Sequence, residues 1–155
     1  MIQTANIDMS SVCSKILGTR TPIGVNGTYF AGTYNGNYNQ INNLYINTQS
    51  YISVGLFSQN KVTTIIQNLV IENPYIYNDY EKYSRTGAIV AYNYGIIKNC
   101  ASIGGTITGY QTTTATEYKA TVVGEIAGYN QMGTVINCFN TSTIMGTTNT
   151  SNSNC

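Results

Sequence analysis

The run Thr64-Ile65-Ile66-Gln67-Asn68-Leu69-Val70-Ile71 can be read as inward and outward positions alternating on either side of an asparagine. Alternation with a period of two is the pattern of a half-buried strand. Ile66 is expected to point inward and Gln67 outward. Asn68 turns a corner, after which Leu69 and Ile71 point inward and Val70 outward. Asparagine suits such a corner because its short polar side chain tolerates the left-handed backbone conformation. The pattern returns along the chain. GAIVAYNYGIIKNC (87–100) and GEIAGYNQMGTVINC (124–138) share a glycine, Tyr-Asn, a glycine turn, an apolar strand and Asn-Cys. Tyr92-Asn93 matches Tyr129-Asn130, and Gly95 matches Gly133. A third copy, GLFSQNKVTTIIQNL (55–69), has Gln59-Asn60 in place of Tyr-Asn. A fourth, YFAGTYNGNYNQINNL (29–44), ends in Asn43-Leu44. The terminal asparagines are then 25, 31 and 38 residues apart.

Similar strands separated by segments of varying length are what a solenoid produces. One rung cannot bury its own apolar face, so successive rungs must stack, with strands about 4.8 Å apart. The pattern predicts an all-β fold: a right-handed parallel β-helix of about four to five irregular rungs with lateral loop insertions. The helix is expected over 1–145, followed by a polar low-complexity tail over 146–155. Asn43, Asn68, Asn99 and Asn137 are expected to stack as a ladder of side-chain amides, one per rung. Leu44, Leu69, Cys100 and Cys138 then form the inward column beside it.

The run Val123-Gly124-Glu125-Ile126-Ala127-Gly128-Tyr129-Asn130, followed by Val135-Ile136-Asn137-Cys138, resembles the GLUG-motif repeat, VGGLVGYN, a glycine turn and I-x-NC. NIDMS (6–10) and FAGTYNGNYNQINNL (30–44) are similar to the segment that precedes these motifs in that family. The likeness runs over about residues 2 to 140. It implies the β-helix and an adhesin-like role at the surface of a bacterium.

Composition narrows the function. Seven basic and six acidic residues leave a net charge of +1, and the basic residues are scattered. A nucleic-acid binder needs a concentrated basic footprint, so no nucleic-acid partner is expected. No apolar run is long enough for a membrane span. The start, MIQTANIDMSS, lacks the basic and apolar regions of a signal peptide. A removed export signal or an excised chain is the favoured reading, with an extracellular or cell-surface location. Histidine is absent, and none of the four cysteines sits in a CxxC pair. No cofactor and no metal site are expected.

The segment ENPYIYNDYEKYSR (72–85) is the only charge-dense stretch. As a lateral loop it offers Tyr75, Tyr77, Tyr80 and Tyr83 to stack on sugar rings, and Asp79, Glu81 and Arg85 to pair with hydroxyls. The plainer and favoured reading is a solvated insertion whose tyrosines lean on the solenoid wall, since most loops carry no function. No catalytic residue is assigned, and the chain is read as a non-enzymatic structural or adhesive module. Its expected partners are further copies stacked head to tail, or flanking domains of a larger surface protein. The alternative is a carbohydrate-binding or carbohydrate-active β-helix, with glycans as partners.

Overall fold

In a computed structural model, residues 1–81, 83–111 and 121–148 are described. They form no helix; every regular element is a short strand. The first is β1 (Ile7–Asp8). One pass of the chain then runs through β2 (Thr33–Asn35), β3 (Gln40–Asn42), β4 (Tyr45–Thr48), β5 (Ser53–Val54) and β6 (Phe57–Gln59). The next runs through β7 (Ile65–Gln67), β8 (Val70–Glu72), β9 (Tyr75–Asn78), β10 (Ser84–Gly87) and β11 (Val90–Asn93). A third runs through β12 (Ile96–Lys98), β13 (Ala101–Ile103), β14 (Thr106–Gln111), β15 (Thr121–Gly124) and β16 (Ala127–Asn130). The last comprises β17 (Thr134–Ile136), β18 (Phe139–Asn140) and β19 (Thr143–Thr148).

From β2 to β14 each strand pairs, in parallel, with the strand five places further along the chain. The result is five stacked parallel sheets. They are β2-β7-β12-β17, β1-β3-β8-β13-β18, β4-β9-β14-β19, β5-β10-β15 and β6-β11-β16, called here the first to fifth sheets. This is the arrangement expected of a parallel solenoid. Register puts like residues in columns: Ile46, Ile76, Ile107 and Ile144 in the third sheet, and Tyr34, Ile66, Ile97 and Val135 in the first. Ile46, Ile66, Ile97 and Ile107 are completely buried. Each such side chain is worth roughly 1.5–3 kcal/mol relative to exposure. The core is therefore a set of parallel columns, each residue packed on its equivalent one pass away.

The corners correct the expected repeat. Asn68, Asn99 and Asn137 do turn the corner between the first and second sheets, all with positive φ (51–53°). Their amides run along the stack: Asn99 donates to Asn68 at 3.2 Å, and Asn137 to Asn99 at 3.4 Å. Asn43 is not in this column. It lies at the next corner, between the second and third sheets, where Asn73 donates to it at 3.0 Å. The register Asn42↔Glu72 and Tyr45↔Tyr75 fixes that placement, and puts Leu44 level with Pro74 rather than with Leu69. At the first corner of the early pass, Asn35 stands opposite Gln67 and accepts from Asn68 at 3.1 Å. The turn there is carried by Asn37 and Tyr38, both with positive φ. Local sequence misled because Asn-Asn-Leu fits either corner; the stacking of Ile41 on Ile71 and Ile46 on Ile76 decides between them.

Two boundaries also move. Much of the supposed lateral loop 72–85 is regular strand: Tyr75–Asn78 form β9 and Ser84 and Arg85 open β10, members of the third and fourth sheets. The strand β19 continues past residue 145, because Gly146, Thr147 and Thr148 pair with Gly109, Tyr110 and Gln111. The remainder of the expected tail lies outside the described residues.

Candidate functional site

The strand alternation decides where the seven candidate side chains go. In β9, Ile76 and Asn78 face inward, so Tyr75 and Tyr77 face outward. Tyr75 stacks on Tyr45, one pass earlier, with ring centroids 4.9 Å apart and planes 10° from parallel. Tyr77 stacks on Tyr110 at 6.3 Å. Partial burial, and then the nearby Asp79, raise the Tyr77 phenol above its ordinary pKa. The third sheet thus carries an outer tyrosine face.

Asp79 is not part of that face. It is buried, with Oδ2 accepting from Gln49 Nε2 at 3.0 Å. Its Oδ1 has no hydrogen-bond partner, nor do the side-chain amide atoms of buried Asn78 and the hydroxyls of Ser53 and Thr86. Glu81 is exposed in the connection to β10. Tyr80 borders a separate cavity of about 200 Å3 with Tyr51 and Ser58. The acids are thus turned to different environments, one inside and one out.

Tyr83 and Arg85 lie beyond the next corner and belong to a second aromatic group. The Arg85 guanidinium sits 4.1 Å from the Tyr92 ring centroid, 5.2 Å from Tyr83 and 5.6 Å from Tyr129. Cation–π contacts of this kind hold the guanidinium against the sheets. Tyr94 joins the group against Tyr92 at 4.6 Å, and the Tyr92 hydrogen bond chiefly lifts its phenol pKa to about 12. The structure therefore divides the seven residues among an outer face, the interior, a small cavity, the Arg85 cluster and, for Glu81, an exposed connection.

A groove of about 550 Å3 lies at the edge of the tyrosine face. Its walls include Lys15 and Cys13 from the irregular segment after β1, and Asn43, Tyr45, Asn47, Asn73 and Tyr75 from the sheets. Cys13 is a buried free thiol whose sulfur accepts the Tyr45 N–H at 3.3 Å. Sequence analysis named Tyr75 here but missed Tyr45, Asn47 and Lys15. The available signal was Tyr45-x-Asn47 against Tyr75-x-Tyr77, two period-two pairs exactly one pass apart.

Also missed was a second asparagine stack, at the corner from the fifth sheet to the first. Asn60 Nδ2 donates to Asn93 Oδ1 at 2.7 Å, and Asn93 Nδ2 donates to Asn130 Oδ1 at 2.7 Å. Asn60 and Asn93 are fully buried. The aligned Tyr-Asn and Gln-Asn pairs held this signal. The glycine after the turn allows the close approach: a Cβ on Gly95 would meet the Thr64 carbonyl oxygen at 2.5 Å.

Cys100 and Cys138 occupy the column just after the exposed ladder, on consecutive passes, and are free thiols. They interact with each other. A hydrogen bond from Cys100 lowers the Cys138 pKa to about 6, while the same bond and burial push Cys100 up. The two thiols are thus shifted in opposite directions by their contact, Cys138 downward and Cys100 upward.

No protein family, curated protein or solved structure matches the chain. No helix among the described residues is long and apolar enough to cross a membrane.

Proposed function

We propose that the five stacked sheets are those of a right-handed parallel β-helix of four to five rungs, and that the chain is a non-enzymatic structural and adhesive module acting at an extracellular or cell surface. The observation that carries this reading is the outer tyrosine face of the third sheet, laid on a scaffold of stacked apolar columns and amide ladders. Such a scaffold holds side chains in rigid rows, which favours recognition of extended ligands. Burial of Asp79 and exposure of Glu81 favour binding over hydrolysis, because glycoside hydrolysis needs two carboxyl groups facing one bond. The test is electrophoresis of the chain through gels containing neutral and acidic polysaccharides, with parallel detection of released products. Retardation without products is the expected result. Release of products that disappears in Glu81→Ala or Asp79→Ala would establish the carbohydrate-active alternative.

A head-to-tail stacking role is favoured by one further observation. Val135 shares an inward column with Ile66 and Ile97, yet it is 39% exposed where they are fully buried. A following rung, supplied by a second copy or by a flanking domain, would cover it and pair the strand edges left open among the described residues. Sedimentation velocity over a range of concentrations is expected to show growing assemblies. A monomer of constant size overturns the stacking of copies.

A further inference from the structure

We infer that the groove beside Tyr45 is a binding site for one ring of an acidic saccharide. The inference specifies the adhesive reading above and rests on it. Strand β4 has β9 on one side, and Tyr75 covers that face of the Tyr45 ring. On the other side runs the segment from Cys13 to Arg20: Cys13 Sγ accepts the Tyr45 N–H, Thr19 Oγ1 accepts the Asn47 N–H at 2.8 Å, and the Arg20 N–H donates to the Tyr45 carbonyl. The groove opens between that segment and the ring.

Its volume of about 550 Å3 suits a small-molecule ligand, since such sites fall at roughly 300–1,000 Å3. A pyranose ring laid against Tyr45 continues the aromatic stack, its axial C–H bonds meeting the electron-rich ring face. The surrounding amides suit hydroxyl groups, which both donate and accept. Asn73 donates one N–H to Asn43, and Asn47 donates one to the Tyr45 hydroxyl at 3.3 Å. The remaining donor and acceptor positions of both amides are available to a ligand. Among the described residues lining the groove Lys15 is the only charged one, and it is exposed; the Asp8 carboxylate, at the far side of Asn43, is engaged by the Asn43 amide and the Ser10 N–H. An ammonium with no facing carboxylate among the lining residues selects a ring bearing a carboxylate or sulfate. The site is separate from the Arg85 cluster, whose cation is already engaged by three tyrosines.

Isothermal titration with oligogalacturonides, and with neutral cello-oligosaccharides as the comparison, tests the site. Oligogalacturonides are expected to bind and cello-oligosaccharides to bind more weakly. Tyr45→Ala and Lys15→Ala should each weaken acidic binding by about tenfold, while Tyr83→Ala leaves it unchanged. Lys15 is a surface residue, so its variant keeps the test valid if Tyr45→Ala fails to fold. Equal affinity for neutral and acidic chains overturns the proposed selectivity. Acidic binding that survives both substitutions but falls in Tyr83→Ala moves the site elsewhere and leaves the adhesive reading intact. Absence of oligogalacturonide binding with continued retardation in polysaccharide gels overturns this site alone; absence of both overturns the two together.

Discussion

Two of the protein's asparagine stacks look alike in sequence and differ in their surroundings. Asn60, Asn93 and Asn130 stack at a corner where the first two are buried; Asn68, Asn99 and Asn137 stack at a corner that is partly open, with Asn99 and Asn137 exposed. In the buried stack Asn93 makes four hydrogen bonds. Its Oδ1 accepts from Asn60 and from the Gly95 N–H, and its Nδ2 donates to Asn130 and to the Gly95 carbonyl. The links between side chains are 2.7 Å there, against 3.1–3.4 Å in the open stack. In the interior a missing hydrogen bond leaves a polar group without water, so each link of this stack carries a desolvation cost if broken. At the surface water replaces whatever is lost. The open stack is retained for a different reason: its asparagines adopt positive φ. One corner uses asparagine for its amide, the other for its backbone.

The largest effect should come from Asn93→Leu. The substitution keeps the volume but leaves the Asn60 amide and the Gly95 N–H buried without acceptors. At roughly 1–3 kcal/mol for each orphaned group, a loss of about 3 kcal/mol or more is expected in urea unfolding. A variant within about 1 kcal/mol of the parent would mean that the buried stack is not a stability element.

Next in size is Asn99→Val, at about 1–2 kcal/mol, because a β-branched residue is strained at positive φ. Asn99→Gly removes the same amide without strain and should cost much less. If the two variants lose equal stability, the open corner depends on its amide after all, and the distinction between the stacks fails.

Cysteine reactivity separates the interior from the rim within one column. Cys138, with its pKa lowered to about 6 by the Cys100 hydrogen bond, should react with a thiol reagent at a rate that rises through pH 6 and levels off by neutrality. Cys100, pushed the other way, should stay unlabelled while the chain is folded. Mass measurement of labelled peptides reads both sites. A common rate with a midpoint near the ordinary thiol value would show that the contact does not shift the two thiols apart.

The smallest effect belongs to the start of the chain. Hydrogen bonds from Asn43, and then from Ser10, lower the pKa of exposed Asp8. A lowered folded-state value means that the stabilisation is complete above the unfolded carboxyl pKa and is lost as pH falls through the folded one. Amide exchange of the first residues should therefore quicken below about pH 4 before the rest of the chain responds. Asp8→Asn should abolish that early acid step.

Much of the repeat was legible in the residues. Tyr92↔Tyr129, Asn93↔Asn130 and the glycines after them stack as aligned, since a run of several matched residues admits one register. The inward positions of Ile66, Leu69 and Ile71 followed from alternation alone. The tyrosine site was legible only as composition. Alternation along β9 sends Tyr75 and Tyr77 outward, but their companions Tyr45 and Tyr110 lie about thirty residues away, and only stacking brings them together.

By itself, the sequence determined the β character of the chain, the inward face of each well-patterned strand and the use of asparagine at sharp corners. These are local properties, set by side-chain alternation and by the few residues that accept positive φ. Tertiary structure decided which corner each asparagine turns, that Asp79 goes inside, and that Tyr45 faces a groove roofed by the segment after β1. The reason is that Asn-Leu looks the same at any corner. Its place is chosen by the pass on which it stacks, through columns such as Ile41 on Ile71 and Ile46 on Ile76 that close only in one register.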